Sequence, residues 1–352
     1  MVKEKSKKTI DHSKYHYRYV ALHISYFGFN YQGFASQNNT FNTIEYHLIK
    51  ALKETSLIEE KKTSNYTSCG RTDAGVSASS QIISIYLRSK QKKESFKGQL
   101  LTQDEEINYI RLLNGFLPKD IRIIRWTDIP KEFNARYSAV SRIYRYYFVK
   151  GGLDIDQMKK ACNYFIGKHD FRNFCTMDIK NVSYFEREIF NFNLNENDTN
   201  ILFFEIEANA FLQNQIRMMT AILFLIGNNK EKPSLIKTLL EVDKYPRKPQ
   251  YNMSNPYQLV LYKVNYDEIK FKTDNKSIKL LLNSLNNLWR EYTIKAEIIN
   301  QFMDVIDENQ NIKSDKQIFN SVTDKIYNKS KYIKILDRPT GKSYQEKVNK
   351  NI

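Results

Sequence analysis

Apolar and polar residues alternate in several short stretches of the chain, and segments with helical spacing separate these stretches. Residues 18–26 have the composition of a strand, and residues 81–88 show the alternation that is typical of one. Between residues 43 and 54 the apolar side chains recur at helical spacing, which predicts an amphipathic helix. The chain is therefore predicted to open with a strand, a glycine-containing loop and a helix.

The same two patterns continue as far as residue 266. They predict further strands at residues 121–126, 142–149, 188–194, 201–208 and 259–266. They predict further helices at residues 104–115, 155–166 and 212–226. The first of these helices is expected to begin at Asp104, because acidic residues favour the first turn of a helix. Strands and helices that alternate in two similar halves indicate an α+β fold with two subdomains.

The last part of the chain has a different pattern. Leucines at helical spacing predict one long helix over residues 275–307, and the polar segment at residues 308–328 is predicted to be loosely ordered. Residues 1–17 are predicted to be a basic disordered tail, and residues 18–128 an N-terminal subdomain. Residues 129–267 are predicted to be a C-terminal subdomain, and residues 268–352 a helical extension with a polar tail.

The composition indicates a protein that binds a polyanion. The 352 residues include 55 Lys and Arg against 39 Asp and Glu, which is a formal net charge of +16. Lysines and arginines that neutralise phosphates release counterions, and this release supplies much of the affinity for a nucleic acid. A lysine-rich surface that is merely solvated is the alternative explanation.

Three cysteines, Cys69, Cys162 and Cys175, lie too far apart for a Cys-x-x-Cys pair. The sequence therefore predicts neither a zinc site nor a disulfide framework. No apolar run is long enough to span a bilayer, and residues 1–8 lack the apolar core of a signal peptide. We expect a soluble intracellular protein, in the cytoplasm, the nucleus or both, without membrane contact.

The most informative stretch reads Cys-Gly-Arg-Thr-Asp-Ala-Gly-Val-Ser-Ala over residues 69–78. Asp73 stands between a cation, Arg71, and two glycines, Gly70 and Gly75, which permit a ligand to approach the backbone closely. A carboxylate in such a loop can serve as a nucleophile or a base. For so short a pattern, the alternative is an ordinary turn in which Asp73 makes a turn hydrogen bond and Arg71 is solvated.

This stretch resembles the active-site loop of the TruA family of tRNA pseudouridine synthases, which reads Gly-Arg-Thr-Asp-x-Gly-Val. Four more segments resemble family motifs and occur in family order, at residues 26–37, 133–146, 167–175 and 208–219. The resemblance implies two ferredoxin-like α/β subdomains that share an antiparallel sheet around a basic cleft. Within the family, the sequence is most similar to a eukaryotic branch that modifies tRNA uridines 38 and 39 in the anticodon stem-loop.

The resemblance also implies roles for individual residues. Asp73 is the implied catalytic residue, Arg217 is its basic partner, and Tyr144 stacks on the uracil. Arg71 is predicted to fill the space that a flipped uridine leaves, and Leu259 to close the pocket from the other face of the base. Arginines that interleave with aromatic residues are predicted to bind RNA phosphates, namely Arg136, Arg142, Arg145 and Arg172.

The implied function is that of an isomerase that converts uridine to pseudouridine in the anticodon arm of tRNA. It needs no metal and no cofactor, and the implied assembly is a homodimer in which both subunits contact one tRNA. Whether Asp73 attacks the sugar, attacks the base or removes a sugar proton stays open at this level. Two other functions stay open as well: a tRNA-folding chaperone with little catalysis, and a synthase for other uridines of tRNA or of other RNAs.

Overall fold

The computed structural model of the chain describes residues 10–96, 98–196, 200–267, 269–271, 275–310 and 332–349. Residues 1–9 of the predicted basic tail lie outside this range. The chain divides into two compact units. The first consists of Met1–Ala139 and Tyr266–Asn286, and the second consists of Val140–Asn265 and Asn287–Ile352.

The first unit is built on antiparallel strands. These are β1 (Tyr15–Tyr26), β2 (Thr67–Ser68), β3 (Ser77–Lys92) and β4 (Ile121–Asp128). Strand β1 pairs with β3 on one side and with β4 on the other, and β2 pairs with β3. Strand β1 is therefore an interior strand of the sheet, and its polar residues Arg18 and His23 are buried along with most of its apolar ones. The predicted strand over residues 18–26 lies within β1.

Two helices of the first unit each begin after a residue whose side chain caps the N-terminus. Helix α1 (Ile44–Glu54) begins as predicted, with the Thr43 hydroxyl accepting a hydrogen bond from the Tyr46 N–H at 3.3 Å. Helix α2 (Tyr109–Phe116) begins after Asn108, so the predicted start at Asp104 is wrong.

The physical reason for the later start of α2 is that the acidic cluster before it has another role. The Glu106 side chain is fully buried and accepts hydrogen bonds from the Arg18 guanidinium at 3.3 Å and from the Lys90 N–H at 2.8 Å. Arg18 also forms an ion pair with Asp128 at 2.5 Å. Glu106 thus compensates a buried cation instead of the partial charge of a helix terminus.

The described part of the second unit contains five antiparallel strands. These are β5 (Ser141–Val149), β6 (Gly167–Asp170), β7 (Glu186–Asn195), β8 (Ile201–Ala208) and β9 (Leu259–Asn265). Their order is β9-β5-β8-β7-β6. The helices are α3 (Ile155–Cys162), α4 (Gln215–Gly227) and α5 (Ser234–Leu240). Strand β6 and helix α5 were not predicted, and α3 is shorter than expected because residues 163–165 form a 3-10 turn.

Aromatic rings fill the core of the second unit. The Phe204 ring lies 4.8 Å from that of Phe148 on β5, 5.8 Å from Phe192 on β7 and 6.2 Å from Phe224 on α4. These contacts hold α4 against the sheet. The α+β class predicted from the sequence is confirmed by these two sets of strands and helices.

The C-terminal part contains helix α6 (Asn275–Gln310) and helix α7 (Tyr344–Val348). Helix α6 confirms the predicted long helix and extends it through residue 310, while residues 311–328 of the predicted polar segment lie outside the described range. The segment before α7 packs on the second unit, where Ile335 is fully buried and the Gly341 N–H donates to the Lys248 carbonyl at 2.8 Å. Among the described helices, none combines the length and the apolar character that crossing a membrane requires.

Candidate active site

The loop that carries Asp73 connects β2 to β3 and contains a tight turn. The Val76 N–H donates to the Asp73 carbonyl at 3.2 Å, and Gly75 between them has a φ of +81°. A glycine is needed here because other residues rarely adopt this conformation. Gly70 has an ordinary φ and open space around it, so only one of the two motif glycines is required by the backbone.

The segment of the first motif, residues 26–37, packs directly on this loop. A Cβ atom on Gly28 would lie 2.0 Å from the Val76 carbonyl oxygen, and a Cβ atom on Gly33 would lie 3.1 Å from the Thr72 carbonyl oxygen. The Gly28 N–H also donates to the Ser77 hydroxyl at 2.9 Å. The two glycines therefore allow two stretches of backbone to approach more closely than any side chain permits.

Thr72 connects the two segments through its side chain and its backbone. It is buried, its hydroxyl lies 2.8 Å from the Tyr26 hydroxyl, and its carbonyl accepts a hydrogen bond from the Phe34 N–H at 3.1 Å. Arg71 on one side of Thr72 is exposed, and Asp73 on the other side is half-buried. A buried threonine thus fixes the backbone from which the two predicted site residues extend.

Buried polar contacts also support the start of the loop. The Gln81 side chain is fully buried and donates to the Gly70 carbonyl at 2.8 Å. The Cys69 thiol lies 3.4 Å from the Gln81 side-chain oxygen and 3.3 Å from the Ile82 N–H. Cys69 is therefore a structural residue of the loop, held by strand β3.

Arg217 lies in the first turn of α4, in the second unit. Its Nε atom donates to the Ser254 carbonyl at 2.9 Å, and its Nη1 atom donates to the Asn214 side-chain oxygen at 3.1 Å. Asn214 has a left-handed backbone, with a φ of +60°. This conformation explains why α4 begins at Gln215 and not at residue 212 as predicted.

Tyr144 and Leu259 also belong to the second unit. Tyr144 is half-buried on β5, and the Phe211 ring meets it edge-on at 5.2 Å. Leu259 is 5% exposed on β9 and lies opposite Tyr146 of β5. Burial raises the pKa of the Tyr146 phenol to about 12. The burial of Leu259 is also what a core leucine would show, so its predicted contact with a base stays a prediction.

The four arginines predicted to bind RNA differ in their surroundings. Arg145 forms an ion pair with Glu205 at 2.7 Å and lies over the Tyr262 ring, 3.5 Å from its centroid. Hydrogen bonding to Asp170, with an ion pair at 2.5 Å, raises the pKa of Arg172.

The other two of the four, Arg142 and Arg136, have contacts of other kinds. Arg142 donates to the Asn209 carbonyl at 2.8 Å. Arg136 is exposed, with its guanidinium 5.5 Å from the centre of the Tyr137 ring, which is itself 78% exposed. An exposed arginine beside an exposed aromatic ring is a combination that RNA-binding surfaces use. The contact of all four arginines with RNA stays a prediction.

The predicted site residues are distributed over both units. Asp73 and Arg71 lie in the first unit, and Tyr144, Arg217 and Leu259 lie in the second. Sequence reasoning missed the residues that hold them, which are Tyr26, Thr72, Asn214 and Ser254. An asparagine before a helix indicates a helix cap, and nothing in the sequence indicates that Asn214 instead holds an arginine. Within the described ranges, no group of three or more His, Cys, Asp or Glu side chains is placed to hold a metal ion.

Comparison with known proteins identifies the class. A family model described as tRNA pseudouridine synthase matches residues 161–267. The tRNA pseudouridine synthase A of Methanosphaera stadtmanae is 35% identical over 285 residues, which cover 80% of this chain and 94% of that protein. The chain belongs to the tRNA pseudouridine synthase family, whose members are isomerases.

Within this family, the chain is similar to a particular group of eukaryotic enzymes. The human tRNA pseudouridine(38/39) synthase is 41% identical over 321 residues, which cover 86% of this chain and 67% of the human protein. The Saccharomyces cerevisiae protein of the same name is 35% identical over 345 residues, which cover 95% of this chain and 78% of the yeast protein.

Proposed function

We propose that this chain isomerises uridine to pseudouridine in the anticodon stem-loop of tRNA, at positions 38 and 39. The observation that carries the proposal is the similarity over most of the chain to proteins named for that activity. The net charge of +16 supports a nucleic acid substrate. The close backbone packing around the Asp73 loop supports it further, because a catalytic carboxylate must be held in a fixed place.

The reaction breaks the C1′–N1 bond of uridine, turns the uracil and forms a C1′–C5 bond. The proton on C5 is lost and N1 regains a proton, so atoms and electrons balance without an oxidant. Asp73 acts as a carboxylate in each of three routes: attack on C1′, attack on the base, or removal of a sugar proton. All three require that Asp73 be ionised while it meets the substrate.

The remaining predicted residues assist this step. A stacked uridine must leave its stem before a carboxylate can reach it, and the exposed Arg71 fills the space that the base vacates. Arg217 is the cation that favours the ionised form of Asp73. Tyr144 stacks on the uracil, and Leu259 limits the pocket on the other face of the base. Arg136, Arg142, Arg145 and Arg172 contact the RNA backbone.

The finer architecture is proposed from the family resemblance. The two halves are ferredoxin-like subdomains that share an antiparallel sheet around a basic cleft, and the antiparallel strands and helices described for each unit agree with this. The enzyme works where tRNA is found, in the cytoplasm, the nucleus or both, and it needs no small-molecule cofactor.

The test is pseudouridine mapping on unmodified tRNA transcripts by carbodiimide modification and primer extension. The wild-type protein is compared with Asp73→Asn and with the matched control Asp104→Asn, which changes an exposed acid of the same unit. A stop at position 38 or 39 is expected with the wild type and the control, and none with Asp73→Asn, which still binds tRNA.

Other outcomes of this experiment separate the alternatives. A stop at other positions would assign a different target. Binding without any stop would favour a tRNA-folding chaperone. A wild-type rate for Asp73→Asn would show that another residue carries the chemistry.

A second copy of this chain is the proposed partner of helix α6. Six apolar residues of α6 follow the spacing of a heptad seam, and each is between 45% and 69% exposed. They are Leu282, Leu285, Trp289, Tyr292, Ile299 and Ile306. An apolar seam of this length on an exposed helix is typical of a coiled-coil interface. The proposal therefore commits to a homodimer with α6 at its interface.

Light scattering tests this assembly. Wild-type protein is expected at twice the monomer mass, and Leu285→Glu at the monomer mass, because a charge within the seam opposes pairing. Asn287→Glu adds the same charge on the outer face of the helix and should remain dimeric. A monomeric wild type, or a dimeric Leu285→Glu, would show that α6 does not hold two copies together.

A further inference from the structure

The side chain of Asn214 is used in an unusual way. It stands at the N-terminus of α4, where an asparagine normally accepts a hydrogen bond from a backbone N–H of the first turn. No such bond forms here, and Asn214 has left-handed backbone angles, with a φ of +60° and a ψ of +10°. Its side-chain oxygen instead accepts from Arg217 Nη1 at 3.1 Å, and its side-chain nitrogen donates to the Thr176 hydroxyl at 2.9 Å.

Asparagine is one of the few residues that suit this position. A left-handed backbone costs most residues free energy, while asparagine tolerates it better than most. The conformation turns the side chain away from the helix N-terminus and toward the guanidinium of Arg217. The guanidinium of Arg217 can only donate hydrogen bonds, so the amide oxygen of Asn214 must face it, and the Thr176 hydroxyl accepts from the amide nitrogen on the other side.

Ser254 holds Arg217 at its other end. Ser254 is fully buried, and its carbonyl accepts from Arg217 Nε at 2.9 Å. Its N–H and its hydroxyl both donate to the Arg217 carbonyl, at 3.1 Å and 2.9 Å. The same hydroxyl lies 2.6 Å from that of the buried Thr220. One residue thus contacts both the backbone and the side chain of the arginine.

Together these contacts determine the plane of the guanidinium. Nε and Nη1 point in different directions, and each has its own acceptor on a different segment of the chain. A long arginine side chain otherwise samples many rotamers, and this freedom must be lost before it can act at a fixed place. The two contacts reduce this freedom.

We infer that Asn214 is a positioning residue for Arg217, with the Ser254 carbonyl as the second fixed contact. This inference rests on the proposed function, in which Arg217 is the cation that assists Asp73. Asn214 acts through Arg217 and does not itself meet the reacting atoms. Its loss should slow the chemical step and leave tRNA affinity unchanged.

The informative variant is Asn214→Gly, because glycine adopts the left-handed backbone without strain and only the amide is lost. In single-turnover reactions on tRNA transcripts, the rate constant should fall by about tenfold, since small errors in placement are costly in catalysis. The dissociation constant for tRNA should change less than about twofold, because no contact with RNA is removed. Asn214→Asp keeps an acceptor for Arg217 and should recover most of the rate.

A double mutant separates positioning from a structural role. With Arg217→Lys in place, adding Asn214→Gly should change the rate constant by less than about twofold, because lysine cannot use the same contacts. A purely structural role would lower the reactive fraction and the melting temperature, while the rate constant of the folded fraction stayed at the wild-type value.

Two results would overturn the inference while leaving the proposed function intact. One is a wild-type rate constant for Asn214→Gly, and the other is an equal loss of rate in the Arg217→Lys background. If the wild-type protein forms no pseudouridine at all, the proposed function fails first. Asn214 then has no catalytic partner to position, and the inference is rejected with it.

Discussion

The contact between Gly28 and the Asp73 loop can be tested by adding a single methyl group. Gly28→Ala would place a Cβ atom 2.0 Å from the Val76 carbonyl oxygen and 2.4 Å from the Val76 carbonyl carbon. Ordinary contacts of this kind begin near 3.4 Å, so the two backbone segments must separate by about 1.4 Å. Both neighbours are backbone atoms, which cannot swing aside as a side chain can.

The expected loss of stability follows from this displacement. Overpacking of a tight contact costs about 1–3 kcal/mol. The hydrogen bond from the Gly28 N–H to the Ser77 hydroxyl would be weakened as well, which adds about 1 kcal/mol. We expect the free energy of unfolding to fall by about 3 kcal/mol. Activity should fall by about 100-fold, since misplacing a catalytic group by 1 Å can have that effect.

Urea unfolding measures the first quantity, and single-turnover formation of pseudouridine at low denaturant measures the second. Gly115→Ala is the matched control, because a Cβ atom on Gly115 in α2 meets nothing within 4 Å. The control should be stabilised by about 0.5–1 kcal/mol, since alanine restricts the unfolded chain and favours a helix. If Gly28→Ala kept the stability and the rate of the wild type, the reasoning from close backbone packing would be refuted.

Two further predictions concern buried charges. Glu106→Gln should lower the free energy of unfolding, measured in urea, by about 3 kcal/mol, because it leaves the buried Arg18 with one acidic partner. Glu105→Gln changes the exposed neighbouring residue and should have little effect. Equal effects of the two substitutions would contradict the ion-pair argument. Burial lowers the pKa of Lys248 from 10.5 to about 8. Between these values the unfolded chain binds more protons than the folded one, so this residue makes stability rise with pH, by at most roughly 3 kcal/mol. Lys248→Met should reduce that rise when urea unfolding is compared at about pH 7.5 and 9.5, and an unchanged slope would mean that Lys248 titrates normally.

The local pattern of the sequence predicted most elements of the fold. The strand over residues 201–208 matches β8, and the helix over residues 43–54 matches α1 with Thr43 as its cap. In both cases the period of apolar residues and the flanking residues favour the same structure, and each element lies within one short segment. An element can be predicted from the sequence when the period of its apolar residues and its flanking residues favour the same structure.

The errors occurred where a distant residue decided the structure. Asp104 to Glu106 look like the acidic first turn of a helix, yet Glu106 is held by Arg18, which is far away in the chain. The predicted start of α4 was early for a comparable reason, because Asn214 adopts a left-handed backbone while its side chain contacts Thr176 and Arg217. A pattern of neighbours along the chain cannot report such contacts.

In the candidate site, too, some features follow from the local sequence and others from contacts between distant residues. The sequence by itself determined the family, the loop that carries Asp73 and the identity of the proposed site residues, because these depend on residue types in a fixed local order. Only the tertiary structure decided why Gly28 must be a glycine, why Thr72 is buried and what holds Arg217 in place. Each of these depends on atoms from segments distant in the chain that approach within about 3 Å, and contacts of that kind exist only after the chain has folded.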